Sequence, residues 1–265
     1  MSGIDIRLGR MFDKDTNRSF TVAFDHGQSL KIPGGLGNPV ALLERIAAGG
    51  ADGILLNKGM LAQASHVFAH RGAPAAILRA DWTTLDPAMK EEQGEGYRPL
   101  VDPADAIALG ADALCMYLIA RPKSDGMFYD NIANVAETID RAHAVGLPVI
   151  VEGTLWGLRN EDQKDPEGLR QVCRIAAELG ADAIKTEYVG DVEAQRTIIE
   201  EVGNVPVLTL GGAPGDDDAV AAAAAGAIAS GARGLIFGRN VWQAGDLEER
   251  LSTLGAITHR AGESR

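Results

Sequence analysis

The chain is short of cysteine, of aromatic residues and of positive charge, and each shortage removes a class of protein. Its 265 residues contain two cysteines, Cys115 and Cys173. Both stand in apolar surroundings (Leu114-Cys115-Met116 and Val172-Cys173-Arg174), and neither has a second cysteine at metal-binding spacing. They read as reduced core thiols, which excludes a disulfide scaffold or a zinc ribbon. Lys and Arg number 25 against 37 Asp and Glu, a formal net charge of −12. With no basic cluster to neutralise phosphates, nucleic acid is not an expected partner. No run approaches the roughly 20 apolar residues of a membrane span. The first residues lack the apolar core of a signal peptide, so the expectation is a cytoplasmic protein with no membrane partner. Neither a Gly-x-Gly-x-x-Gly fingerprint nor a Gly-Lys-Ser/Thr phosphate loop occurs, and no cofactor is expected. His66 and His70 have a spacing that metals use, but they fall on an outer helical stretch, so no metal site is expected either.

What is present is an alternation of short apolar runs with longer helical patterns. The runs are Thr21–Phe24, Gly53–Leu56, Ala75–Leu78, Ala113–Tyr117, Val149–Val151, Ala183–Lys185, Val205–Leu208 and Gly234–Phe237. Helical periodicity follows each, with a long polar loop from about Trp82 to Val101. Eight such units predict a parallel sheet with crossover helices, either closed or doubly wound. The turns that lead into the strands favour closure. Gly-Ala-Asp precedes the second, fourth and sixth strands, and Gly-Ala-Arg the eighth. Glycine followed closely by proline precedes the third, fifth and seventh. An even/odd alternation suits a (β/α)8 TIM barrel built from two-strand units, and the length fits one domain with a short extension over about residues 1–18.

A barrel puts its chemistry at the carboxyl ends of the strands. Lys185 falls there on the sixth strand, in line with Ala181, Ala183 and Glu187. Burial favours the neutral amine, which attacks a ketone or aldehyde to give an imine. The position alone equally allows a structural ion pair with Glu187 or Asp25. Asp25 ends the first strand and is a candidate to accept a proton or to hold Lys185 and its carbinolamine, with His26 beside it. Lys58 is a rival amine, nearer a helix start. Gly211 and Gly212 follow the seventh strand, and Gly238 and Arg239 the eighth, the place where barrels commonly hold phosphate. The acidic run Asp216-Asp217-Asp218 lies close by and is expected to cap its helix, away from an anionic ligand.

Four segments together resemble the DeoC/LacD superfamily, nearest its archaeal-type class I fructose-bisphosphate aldolase branch, which also contains the autoinducer-2 phosphate thiolase. They are Val22-Ala23-Phe24-Asp25-His26-Gly27, Ile184-Lys185-Thr186-x-Tyr188-x-Gly190-Asp191, Gly211-Gly212, and Gly238-Arg239-Asn240-Val241-Trp242-Gln243. The similarity runs from about Arg7 to Leu254. It implies a (β/α)8 barrel, Schiff-base chemistry at Lys185, a strand-one aspartate at Asp25, a phosphate cradle at the two glycine segments, and a homo-oligomer, with decamers known. Two departures bear on the substrate. Thr154 falls where the fructose-bisphosphate aldolases carry a strand-five tyrosine, leaving Glu152, Glu187 or Tyr117 as replacements. The segment Ala213-Pro214-Gly215-Asp216 lacks a lysine that often follows Gly-Gly. The expected function is a class I, metal-independent aldolase acting on a small, phosphorylated ketose. Lys185, Asp25, Glu152 and Thr154 are its catalytic candidates; His26, Gly211, Gly212, Gly238 and Arg239 are its binding candidates. A thiolase using the same lysine and a non-catalytic sugar-phosphate binding protein are the alternatives.

Overall fold

The computed structural model describes residues 2–29, 37–212 and 215–260. Eight parallel strands form a closed barrel: β1 (Ser19–Ala23), β2 (Gly53–Leu56), β3 (Ala75–Arg79), β4 (Ala113–Ile119), β5 (Val149–Thr154), β6 (Ala183–Glu187), β7 (Val207–Leu210) and β8 (Gly234–Phe237). Each pairs with the next in sequence, and β8 closes on β1 with Ser19 opposite Gly234 and Val22 opposite Phe237. The fold is therefore the expected (β/α)8 barrel. Strand β7 begins at Val207 and not at Val205, because Pro206 has no N–H to give to the ladder.

The helices start where short polar side chains meet proline. Asn38-Pro39, Asp86-Pro87, Asp102-Pro103 and Asp165-Pro166 each place an Asx side chain on a free amide of the first turn and proline at the first helical position. Both features suit a helix start, where the first N–H groups have no partner within the helix. Gly50, Gly110, Gly180 and Gly231 close helices in the left-handed region, with φ between 83° and 101°.

The alternation seen in the strand-leading turns has a structural cause. Asp52, at the start of β2, accepts from Phe20 N of β1 at 2.6 Å. Asp112, before β4, accepts from Ala76 N of β3 at 3.0 Å. Asp182, before β6, accepts from Val149 N of β5 at 2.8 Å. Each aspartate of an even strand thus satisfies an amide at the start of the odd strand before it, the first (Val149) or the second (Phe20, Ala76). Arg233 takes the equivalent place before β8 and donates from Nε to the Asn17 carbonyl instead, at 2.7 Å.

Three local features go beyond the sequence reading. Within the extension expected over about residues 1–18, Ser2–Met11 is a helix across the amino end of the barrel. Met11 is fully buried among the interior residues Ala75, Ile77, Ala113 and Leu208, and Arg10 pairs with Asp112 at 2.6 Å. Within the long loop after β3, Asp81–Thr83 and Tyr97–Pro99 pair as an antiparallel ribbon around a helix, Pro87–Gln93. The helix expected over Met60–His70 is broken at Ala64 into Lys58–Gln63 and Ser65–Phe68. On its surface His66 bonds Glu44 at 2.8 Å and His70 the Arg71 carbonyl at 3.1 Å.

Candidate active site

Side chains alternate across each strand, so every second residue points into the barrel. The lower interior is apolar: Ala75 and Ile77 of β3, Cys115 of β4, Ile150 of β5, Ala183 of β6 and Ile236 of β8. One step up, the same strand faces carry charge. Arg79 follows Ile77, Tyr117 follows Cys115, Glu152 follows Ile150, and Lys185 and Glu187 follow Ala183. Asp25 joins them two residues beyond Ala23. A cavity of about 570 Å³ opens above this layer.

Lys185 is buried, and its Nζ lies 2.8 Å from Glu152 Oε1. The ion pair is therefore with Glu152, not with the expected Glu187 or Asp25. Strand register explains it, since Glu152 and Lys185 are direct partners across β5 and β6. The second oxygen of Glu152 accepts from Arg79 Nη2. Arg79 Nε in turn donates to Asp25 Oδ2 at 2.8 Å. The Arg79 guanidinium lies over the Tyr117 ring, 3.8 Å from its centroid, a favourable place for a cation. A single fully buried arginine thus fixes both carboxylates beside Lys185. Arg79 is a polar strand end in the sequence with no role assigned to it there; a charged residue closing the apolar run Ala75–Leu78 was the signal.

The charges sort the titratable groups by environment. Burial raises the Asp25 carboxyl, but Arg79, Lys185 and His26 outweigh it and bring it down to about 2. Burial, helped by the nearby charge of Glu152, shifts Glu187 the opposite way, up to about 7, against the pull of Lys164 and Lys185 and a hydrogen bond from Trp156. Asp81, behind Arg79, is also raised by burial to about 7. It accepts from Tyr117 N at 2.7 Å. Burial pushes the Tyr117 phenol well above its ordinary range. His26 is lowered, first by burial and then by Lys185 and Arg239, against the pull of Asp25. Its edge packs on Trp242, 5.5 Å between centroids.

The two glycine segments border the same cavity as Lys185. Gly238 sits so close to β1 that an added Cβ would stand 3.0 Å from the Ala23 carbonyl oxygen and 3.0 Å from His26 Nε2. Gly212 takes φ 68°. Asn240 ties the two segments together, donating to the Gly211 carbonyl and accepting from Gly215 N at 3.1 Å. Arg239 borders the cavity with its Nε buried and unpartnered among the described residues. The acidic run turns elsewhere, as expected: Asp216 caps Ala219 N at 2.8 Å and Asp217 pairs with Arg250. Of the segment that departs from the family after Gly212, Ala213 and Pro214 lie outside the described residues.

Not every candidate comes to the cavity. Thr154 is fully buried at the end of β5, its hydroxyl without a partner among the described residues, and it is not among the residues bordering the space. Two residues on, Trp156 does border it, packing on Tyr117 (5.8 Å between centroids) and donating from Nε1 to Glu187 Oε1 at 3.3 Å. Lys58 is exposed at a helix start and stands apart from the site. The loop after β3 contributes Leu85 and Lys90 to the wall, and Lys90 Nζ donates to the Trp156 carbonyl at 2.9 Å. Neither Trp156 nor Lys90 was singled out from sequence: Trp156 reaches the cavity from the irregular segment after β5, and Lys90 from a short helix inside what read as a long polar loop.

A closed barrel with a buried lysine, two carboxylates and an arginine at the carboxyl end of its strands suits carbonyl chemistry. The chain belongs to the DeoC/LacD family of aldolases, whose model matches residues 19–244; it is a lyase. It is 31% identical over 262 residues to an uncharacterized aldolase of Saccharolobus solfataricus, covering 98% of this chain and 95% of that one. It is 29% identical to 2-amino-3,7-dideoxy-D-threo-hept-6-ulosonate synthase of Halobacterium salinarum, covering 97% and 92%. Among solved structures, it matches an archaeal fructose-1,6-bisphosphate aldolase whose catalytic lysine is covalently bound to the carbinolamine intermediate. That match has a TM-score of 0.83 and 26% identity, over 97% of this chain and 99% of that one. No helix among the described residues is long and apolar enough to cross a membrane.

Proposed function

We propose that the protein is a class I aldolase that makes or breaks a carbon–carbon bond in a small phosphorylated ketose, with Lys185 as the imine-forming amine. The observation that carries this reading is the placement of Lys185 Nζ on the cavity, 2.8 Å from Glu152 Oε1. An amine must shed a proton before it attacks a carbonyl, and Glu152 is in position to take it. Attack on the ketone carbon gives a carbinolamine; loss of water gives an iminium. The iminium draws electrons from the adjacent bond, which breaks to leave an enamine on Lys185 and a free aldehyde. Asp25, held ionised, steadies the cationic iminium throughout.

The phosphate would lie against the bare backbone of Gly211, Gly212 and Gly238, within reach of Arg239. The unpartnered Nε of Arg239 supports this, since a buried donor without an acceptor is costly unless a ligand supplies one. The covalent lysine intermediate of the structurally similar archaeal aldolase supports the role given to Lys185. The relatives include a synthase of a different keto compound, so the proposal names a class of ketose and not one sugar.

The test is borohydride reduction in the presence of dihydroxyacetone phosphate, followed by peptide mass spectrometry. The expected result is a stable adduct on Lys185, absent from Lys185→Met. No adduct on Lys185 overturns the proposal, and a product that forms only with coenzyme A assigns thiolase chemistry to the site instead.

A further inference from the structure

Cleavage needs a group that the buried ion pairs do not supply. As the carbon–carbon bond breaks, the hydroxyl on the departing carbon must lose its proton; with no aldehyde present, a proton must be returned to the enamine carbon. The residue that does this has to border the cavity, stand free of the ion pairs, and exchange a proton near neutral pH.

Most of the acids and bases at the site fail one of these conditions. Asp25 is held ionised by Arg79 and Lys185, so it has no proton to return at pH 7. Glu152 has one oxygen on Lys185 and the other on Arg79. Tyr117 lies beneath the Arg79 guanidinium with its phenol pushed well above the ordinary range. Thr154 does not border the cavity. Asp81 is fully buried behind Arg79, with one oxygen on Tyr117 N. His26 is taken up by its neighbours, with Nδ1 3.7 Å from Asp25 Oδ1 and its ring wedged between Trp242 and Gly238.

Glu187 meets all three conditions. It lies on the same face of β6 as Lys185, two residues further on, a rise of about 7 Å along the strand. It borders the cavity while remaining 6% exposed. Trp156 Nε1 donates to one carboxyl oxygen at 3.3 Å and so aims the group. Trp156 is itself held by the Tyr117 ring and by Lys90 on its carbonyl. The charged groups that face Glu187 are Lys164 from the loop after β5, Glu152 of β5 and Lys185 of its own strand.

We propose that Glu187 is the residue that carries protons between substrate and enzyme. In cleavage its carboxylate takes the hydroxyl proton while the electrons of the breaking carbon–carbon bond pass to the iminium, giving aldehyde, enamine and the neutral Glu187 acid. The acid then gives its proton to the enamine carbon and restores the iminium, so no outside acid or oxidant is consumed. This rests on the imine at Lys185. A carboxyl lifted to about 7 by burial is populated in both forms at neutral pH, as a two-way carrier requires.

The test uses dihydroxyacetone phosphate in deuterated water, with two readouts on wild-type, Glu187→Gln and Glu187→Asp proteins. Borohydride trapping counts the imine on Lys185, and deuterium uptake at the carbon beside the ketone counts proton transfer. The expected result is an adduct in all three proteins, with exchange slowed by about 10²-fold or more in Glu187→Gln. Wild-type exchange should rise as pH passes up through about 7, as the carboxyl ionises. That inflection should be missing in Glu187→Gln and kept, with a slower rate, in Glu187→Asp. Because Asp81 is raised into the same range, an inflection that survives in Glu187→Gln assigns it to Asp81 and overturns the proposal. Unchanged exchange in Glu187→Gln also overturns it, as does loss of the adduct in that variant, which would place Glu187 in imine formation. No adduct in the wild-type protein overturns the Lys185 reading first, and the role of Glu187 with it.

Discussion

The two ends of the barrel spend their acidic residues differently. At the amino end, Asp52, Asp112 and Asp182 each hold a backbone amide of the neighbouring strand and a partly exposed cation or histidine as well: His259 on Asp52, Arg10 on Asp112, His143 on Asp182. At the carboxyl end, Asp25 and Glu152 hold buried cations, Arg79 and Lys185, beside an open cavity. The first arrangement stitches strands together. The second keeps charge in a space where water is scarce, which costs stability and gives reactivity. The contrast also shows which change should harm folding and which should harm chemistry.

The largest effect on activity is expected from Lys185→Met. It should abolish turnover and trapping while leaving the barrel folded, since Glu152 keeps its bond to Arg79. A trapped adduct in that variant would break the comparison at its chemical end. The largest effect on stability is expected from Arg79→Met, which removes the buried cation shared by Asp25 and Glu152; a loss of about 3–5 kcal/mol is the usual result of removing one partner from a buried ion pair. Denaturant unfolding measures it. At the amino end, Asp112→Ala leaves the buried Ala76 amide without an acceptor and should cost about 1–3 kcal/mol with catalysis unchanged. Loss of activity without loss of stability would contradict the division of labour. Gly238→Ala should act on ligand rather than fold: its Cβ would press on His26, so KM for a phosphorylated ketose should rise more than kcat falls.

The smallest expected effect is on the pH dependence of stability. Asp81 and Glu187 are raised to about 7 in the folded protein, above the ordinary carboxylate range they return to on unfolding. Between about pH 4 and 7 the folded state therefore binds more protons than the unfolded one, and their contribution falls as pH rises. Asp25, lowered to about 2, contributes the reverse slope below pH 4. Thermal melts of Asp81→Asn should lose part of the decline between pH 4 and 7.

The barrel was legible because its strands are buried on both faces and read as continuous apolar runs. Lys185 was legible for the same reason: a charge within Ala183–Glu187 stands out against its neighbours. Its partner was not. The Arg79–Glu152 contact joins residues 73 apart in sequence, and only the register of a closed barrel brings β3 and β5 to one point. Glu187 and Asp25 were the ion-pair partners the sequence offered, yet the cross-strand neighbour Glu152 is the one that pairs with Lys185. Trp156 was hidden because an irregular segment carries no periodicity, Lys90 because its helix, Pro87–Gln93, is too short to show one, and the plugging helix Ser2–Met11 because two buried anchors, Ile4 and Met11, leave little pattern. Thr154 was placed by spacing from a strand-five tyrosine, and the end of β5 turns so that Trp156 comes to the wall instead.

The most direct measurement of the central claim is a crystal structure of the protein reduced with borohydride in dihydroxyacetone phosphate. The account predicts density continuous from Lys185 Nζ to the former carbonyl carbon, with the phosphate against Gly211, Gly212, Gly238 and Arg239. A ligand bound without a bond to Lys185, or joined to another lysine while Lys185 stays on Glu152, would contradict it.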